Sequence, residues 1–176
     1  HGAALWIFRA VGYDVDDLFL VVGDAGTILT SPDGTTWTSR TSGTADNLFC
    51  ITYSAAEALF VAVGGNGTIL TSPDGITWTA RTSGTAEFLY GITYSAADAL
   101  FVVVGATGTI LTSPDGITWT ARTSGTAFVL NKVTYSAADD LFVAVGAGGN
   151  ILTSPDGITW ASRTGGTENV LTSIVY

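Results

Sequence analysis

Four copies of the stretch Ser-Pro-Asp-Gly-x-Thr-Trp, at residues 31–37, 72–78, 113–119 and 154–160, follow one another at a constant spacing of 41 residues with no insertion. A strict period of this length restricts the chain to a stack or ring of equivalent supersecondary units. The stretch itself reads as a tight turn. Pro32 presets φ at the first central position, Asp33 takes the second, and Gly34 supplies the φ > 0 conformation that closes a hairpin. A strand therefore arrives at Ser31 and another leaves near Thr35. Asp33, Asp74, Asp115 and Asp156 are read as structural, each accepting hydrogen bonds from the amides of its own turn. Trp37, Trp78, Trp119 and Trp160 supply the apolar surface that fixes each hairpin against its neighbour.

Between the turns the pattern is that of short strands. In the second repeat, Leu59 to Val63 is a continuous apolar run, as expected of a strand covered on both faces, and Thr68 to Ser72 is the next strand. Thr77 to Arg81 alternates with period two, as on an outer, half-exposed strand, and Phe88 to Tyr94 completes the set. No helical period is present. The fold expected is all-β: a β-propeller of four-stranded antiparallel blades. As a single domain or segment, 1–176 divides into a lone strand within 1–12 and repeats 13–53, 54–94, 95–135 and 136–176. Residues 5–12 align with 46–53, 87–94, 128–135 and 169–176, so this innermost-type strand has five copies and every other strand four. One copy is spare in a closed four-bladed ring. A larger ring, a ring completed by a second chain, or a four-bladed ring with one strand displaced would each accommodate it. A homo-oligomer, or a part of a longer chain, is the expectation.

The heptad resembles the Asp-box, or BNR repeat, found in β-propellers of the sialidase type and in the propellers of photosystem assembly factors. The flanking Val-Gly-x-x-Gly-Thr-Ile-Leu, as at Val63 to Leu70, looks like the latter group. The resemblance covers the whole chain and implies a four-stranded blade per repeat. It implies no activity, because the box braces a hairpin in enzymes and non-enzymes alike.

Composition narrows the function classes. At 176 residues, 47% apolar and 12% charged, the chain can bury a core in a single domain. Six basic residues against fifteen acidic ones give a net charge of −9, which disfavours nucleic acid and anionic membrane surfaces as partners. No apolar run approaches the ~18 residues of a transmembrane helix. Cys50, the single cysteine, reads as a small buried hydrophobe. The sequence begins at His1 and contains no methionine, which leaves targeting open, with an extracellular or surface-exposed setting favoured.

Catalytic patterns are thin. The one histidine is His1, so neither a hydroxyl nor the Cys50 thiol has an internal histidine base. A sialidase grips its substrate with three converging arginines, but Arg40, Arg81, Arg122 and Arg163 occupy one repeat position on outer strands of different blades and read as solvated rim charges. Asp14, Asp16, Asp17, Asp139 and Asp140 are acidic loop residues and read as solvated. No catalytic residue, metal site or cofactor is assigned.

The second and third repeats are nearly identical, and their differences are concentrated at two places. One is the turn after the apolar strand, where Gly65-Asn66 becomes Ala106-Thr107; the other is the start of the innermost strand, where Glu87-Phe88-Leu89-Tyr90-Gly91 becomes Phe128-Val129-Leu130-Asn131-Lys132. In a propeller both lie on one face, while the heptad turn and the Ser-Ala-Ala-Asp/Glu connection share the other. One face is uniform and the other diversified. The candidate ligand-binding set on the diversified face is Trp6, Phe8, Phe49, Phe88, Tyr90 and Phe128 as anchors, with Arg9, Asp46, Asn47, Glu87, Asn131, Lys132 and Asn169 as polar contacts. The function expected is a non-enzymatic, lectin-like or adhesin-like module binding carbohydrate or a surface protein. The alternative is a structural or assembly propeller, holding a protein partner or building a particle, with no small ligand.

Overall fold

The computed structural model describes residues 6–9, as backbone, and residues 18–176. Among the described residues, sixteen strands form four antiparallel sheets of four, each a blade. Blade 1 comprises β1 (Trp6–Arg9), β2 (Phe19–Val22), β3 (Ile28–Ser31) and β4 (Thr38–Arg40). Blade 2 comprises β5 (Leu48–Ser54), β6 (Leu59–Gly64), β7 (Ile69–Ser72) and β8 (Thr79–Arg81). Blade 3 comprises β9 (Leu89–Ser95), β10 (Leu100–Gly105), β11 (Ile110–Ser113) and β12 (Thr120–Arg122). Blade 4 comprises β13 (Leu130–Ser136), β14 (Leu141–Gly146), β15 (Ile151–Ser154) and β16 (Ala161–Arg163). The fold is a β-propeller architecture, as expected. Each of the first three 41-residue repeats straddles two blades, giving three strands to one and the innermost strand to the next.

Apolar layers join neighbouring blades, and the two middle sheets are covered on both faces by their neighbours. Leu20, Val22 and Ile28 of blade 1 meet Leu48, Ile51, Phe60 and Leu70 of blade 2, with Trp78 packed against them. Val61, Val63 and Ile69 of blade 2 meet Leu89, Ile92, Phe101 and Leu111 of blade 3, and Val102, Val104 and Ile110 of blade 3 meet Leu130, Val133, Phe142 and Leu152 of blade 4. Alternate residues of the second strand thus face opposite neighbours: Val61 looks to blade 3, Phe60 to blade 1. Burying each such side chain contributes about 1.5–3 kcal/mol. Among the described residues no comparable layer joins blade 4 to blade 1, and the four sheets form an open arc.

The heptad turns lie at one end of the blades. Asp74 Oδ1 accepts the N–H groups of Ile76 and Thr77 (both 2.8 Å) and the Ser72 hydroxyl (2.9 Å). These bonds, that of Thr77 first, hold its pKa down at about 2, and Asp33, Asp115 and Asp156 are lowered by the same backbone donors. The turn glycines have φ of 68–72°. Gly116 also packs tightly on the preceding blade, where an added Cβ would lie 2.7 Å from Leu59. Trp119 donates its indole N–H to Gly116 O (3.2 Å) and lies tilted against Phe101, with ring centroids 6.4 Å apart.

Blade 1 departs from the repeat. In blade 2, Cys50 pairs with Val63, so repeat alignment would pair Arg9 with Val22; instead Trp6 pairs with Val22, an offset of three residues. Tyr13 stands where the other repeats have the serine whose hydroxyl caps this hairpin, as Ser54 accepts from Glu57 N (3.1 Å) and Ser95 from Asp98 N (3.1 Å). The side chains of Trp6, Phe8 and Arg9, and residues Asp14, Asp16 and Asp17, lie outside the described residues.

Candidate binding face

The diversified face is built from two segments per blade junction. After the outer strands of blades 1, 2 and 3, Thr-Ser-Gly-Thr folds into a local turn, with Thr-Gly-Gly-Thr in its place after blade 4: Ser83 donates its hydroxyl to Thr85 O (3.1 Å), and Glu87 N donates to Thr85 Oγ1 (3.1 Å). The single 3₁₀ turn between second and third strands packs against this segment. Gly65 N donates to Asn47 O (2.8 Å) and Gly67 N to Glu87 O (2.9 Å), so the blade 2 turn ties the start of its own innermost strand to that of blade 3. Both variable segments therefore lie on one face.

A β-bulge at the start of each of β5, β9 and β13 decides which side chains are presented. Pairing shifts between Leu48 and Cys50, between Leu89 and Gly91, and between Leu130 and Lys132, which leaves Phe49, Tyr90 and Asn131 as the extra residues. A bulge re-aims its residue away from the ladder. Phe49 of blade 2 consequently meets Phe88 and Tyr90 at the start of blade 3, with ring centroids 6.1 and 5.3 Å away, and Phe88 and Tyr90 stand edge-on at 6.2 Å. Phe88 is 43% exposed and the other two rings are half-buried. Phe128, 56% exposed, sits apart over the blade 4 turn, where an added Cβ on Gly148 would lie 3.3 Å from its ring.

The polar candidates divide. Glu87 is half-buried at the edge of the aromatic cluster. Asp46 accepts hydrogen bonds from the Thr68 hydroxyl (2.8 Å), the Asn66 amide (2.7 Å) and the Thr44 hydroxyl (3.2 Å). These lower its pKa, the Thr68 hydroxyl first, so Asp46 stays an anion while bracing the junction. Asn47 Oδ1 accepts from Ala25 N (2.9 Å), a residue at φ 53° in the turn of blade 1. Asn131 donates its amide to Leu171 O (2.8 Å), and Asn169 is exposed with its carbonyl accepting from Gly149 N (2.8 Å).

Lys132 reaches inward. Its ammonium donates to Cys50 Sγ at 3.2 Å, joining β13 to β5 across β9. Gly91 holds the same repeat position between them, and a Cβ there would approach the Lys132 backbone to 3.1 Å. Cys50 is buried as expected, but the ion–thiol contact is not legible in either residue alone. The signal lies in the repeat position shared by Arg9, Cys50, Gly91, Lys132 and Ser173, which varies more in charge and size than any neighbour.

Two open grooves of about 550 and 530 Å³ lie beside the outer strands. Asn66, Arg81 and Thr85 line the first, and Asn150, Arg163 and Glu168 the second. The rim arginines, Arg163 exposed and the other three half-buried, are also held in place: Arg40, Arg81, Arg122 and Arg163 each donate Nε–H to the threonine of the adjacent strand at 2.8–2.9 Å. Asp139 and Asp140 accept from the hydroxyls of Ser136 and Tyr135 (both 2.7 Å). Among the described residues no group of three His, Cys, Asp or Glu is arranged to hold a metal, and no helix is long and apolar enough to cross a membrane.

No protein-family model matches the chain, and no curated protein matches it. Solved structures do. YCF48 bound to D1 peptide is 18% identical with a TM-score of 0.57, over 82% of this chain and 48% of its own. YCF48 from Cyanidioschyzon merolae is 18% identical with a TM-score of 0.68, over 92% of this chain and 56% of its own. The GH74 enzyme of Niastella koreensis is 19% identical with a TM-score of 0.62, over 88% of this chain and 23% of its own. The chain thus spans about half the length of the YCF48 chains, and at these identities the likeness is one of fold: this chain has the architecture of a β-propeller.

Proposed function

We propose that the chain is a non-enzymatic protein-binding propeller of the assembly-factor kind, which takes an extended segment of a partner on its diversified face. The observation that carries this reading is the cluster of Phe49, Phe88 and Tyr90, three rings from two blades gathered on the face opposite the heptad turns. Aromatic rings in an open cluster supply rigid apolar contact area at low entropic cost, as interface anchors do. Asp46 and Glu87 flank the cluster and the net charge is −9, so the segment that fits is apolar with basic flanks. A YCF48 propeller of the same fold is solved with D1 peptide, which supports a peptide ahead of a sugar. On this reading the heptads are Asp-box braces that fix the blades and take no part in binding.

The test is a peptide-display selection on the full chain, run beside a glycan array. Peptides with an aromatic or aliphatic anchor and flanking Lys or Arg are the expected enrichment. Phe88→Ala combined with Tyr90→Ala should weaken the selected peptide at least tenfold, about 1.4 kcal/mol. Unchanged peptide affinity would remove the aromatic cluster as the site, and selective glycan binding lost in the same variant would replace the peptide reading with carbohydrate.

A further inference from the structure

The two ends of the arc carry matching halves of one more inter-blade layer. At one end, Val143 and Ile151 of blade 4 are half-buried, whereas their repeat equivalents Val61 and Val102, and Ile69 and Ile110, are at most 1% exposed. At the other end, Phe19 and Leu29 of blade 1 are half-buried, whereas the repeat equivalents of Phe19 are 9% (Phe60) and 0% (Phe101, Phe142) exposed, and Leu70, Leu111 and Leu152 are at most 2% exposed. Each half is the surface that packs on the other in the three layers already formed.

The spare strand is divided the same way. Leu171 N donates to Gly146 O at 3.0 Å, the bond that Leu48 N makes to Gly23 O (3.0 Å) where blade 2 docks on blade 1. The segment 171–176 therefore leaves blade 4 as the innermost strand of a next blade, but it forms no strand and Val175 and Tyr176 are 88% and 70% exposed. In blades 2, 3 and 4 the innermost strand buries an apolar residue at Ile51, Ile92 or Val133, and packs a tyrosine at a tilt against the phenylalanine of the second strand at centroid distances of 4.5–4.7 Å. By repeat alignment blade 1 has Ala10 and Gly12 at these positions, while the C-terminal segment has Ile174 and Tyr176. Phe19 is the phenylalanine whose aligned tyrosine is missing, and Tyr176 is the tyrosine without a blade.

We propose that residues 171–176 of one copy of this chain pair with β2 of a second copy, in place of β1, and seat blade 4 of the first copy against blade 1 of the second. The register inside blade 2 transfers directly: Ser173 opposite Val22, Ile174 opposite Val21, Val175 opposite Leu20 and Tyr176 opposite Phe19. A second copy is the occupant because, among the described residues, blade 1 presents the complementary half-layer, and its second strand carries a partner offset by three residues from the repeat register. Two such junctions close a ring of eight blades from two arcs of four. The inference is independent of the peptide reading, since the aromatic cluster lies between blades 2 and 3.

Sedimentation equilibrium of the full chain tests it. The expected mass is twice 18.1 kDa, and the double variant Ile174→Asp, Tyr176→Ser should raise the dimer dissociation constant at least a hundredfold while leaving far-ultraviolet circular dichroism unchanged. Those two positions carry no strand in the single copy, so the variant keeps its blades. A wild-type chain that stays monomeric through the micromolar range overturns the proposal, and so does a dimer that the double variant leaves intact.

Discussion

Gly67 and Gly84 both sit at positive φ, 69° and 78°, and a methyl group at each separates backbone strain from packing. Alanine in the left-handed region costs about 1–2 kcal/mol at either site. The unfolded-state gain from replacing glycine is common to both and cancels in the comparison. At Gly84 nothing lies within 4 Å of the added Cβ, so the strain is the whole effect. At Gly67 the Cβ would lie 2.0 Å from Thr85 O and 2.8 Å from Ser83 Oγ. Relief to an ordinary contact of about 3.5 Å needs a retreat of about 1.5 Å. That displacement breaks the Gly67 N to Glu87 O bond (2.9 Å) and the Ser83 hydroxyl bond to Thr85 O (3.1 Å), each contributing about 1 kcal/mol. Gly67→Ala should therefore be about 2 kcal/mol worse than Gly84→Ala, a difference in Tm of about 4–8 °C for a chain of this size. Scanning calorimetry of the two variants gives the difference. Because Glu87 leads directly into Phe88, Gly67→Ala should also weaken the selected peptide while Gly84→Ala leaves it alone. Equal melting temperatures would refute the packing of the 3₁₀ turn against the lead-in of the next blade.

Three further measurements address other parts of the fold. Asp74 has its pKa held at about 2, below the unfolded value near 4, so its stabilisation is complete above about pH 4 and is lost as pH falls toward 2. Asp74→Asn should flatten that part of the Tm–pH curve, and an unchanged slope would show that other carboxylates set it. The Tyr94 hydroxyl is buried without a hydrogen-bond partner, so Tyr94→Phe should leave Tm unchanged or raise it, by up to about 1 kcal/mol of stability; a loss beyond that would contradict the unpaired hydroxyl. Asn131→Ala removes the donor to Leu171 O and should speed amide exchange in residues 170–173 without affecting β14, a pattern that uniform exchange would contradict.

Much of the blade was legible because its signals are local. The heptad specified a hairpin through Pro32, Asp33 and Gly34, and the glycine does adopt φ 72°. The outer strand is shorter than its alternation suggested, Thr79–Arg81 instead of a start at Thr77. The Thr77 N–H is turned to the Asp74 carboxylate at 2.8 Å and is withdrawn from the ladder. The diversified face was legible as a location, since repeats that otherwise match diverge there. Its contents were not. Whether Phe49 and Tyr90 point outward depends on a bulge, which one added residue in the pairing creates without a marker in the chain. Asp46 reads alone as an exposed contact, but its donors, Asn66 and Thr68, lie 20 and 22 residues away across a blade turn. The offset of β1 likewise rests on pairing that repeat alignment assumes and does not test.

Repeat architecture also determines how stability is distributed along the arc, and this connects the face to the ends. Each inter-blade layer contributes a nearest-neighbour term, and blades 2 and 3 have layers on both sides while blades 1 and 4 have one each. The aromatic cluster is built across the junction of blades 2 and 3, the junction with a full neighbour on either side. The proposed binding face is therefore held by the part of the chain with the most inter-blade layers, and openings at the termini should not be transmitted to it. Amide exchange should be slowest in β6 and β10, where Val61, Val63, Val102, Val103 and Val104 are 0% exposed, and faster in β14 and β15, where Val143 and Ile151 are partly open. In the Ile174→Asp, Tyr176→Ser variant this gradient should be steep; in the wild-type dimer the protection of β14 and β15 should rise to that of β10. Equal exchange across all four blades in the monomeric variant would mean that the arc unfolds as one unit, and the independence of the binding face from the ends would fail with it.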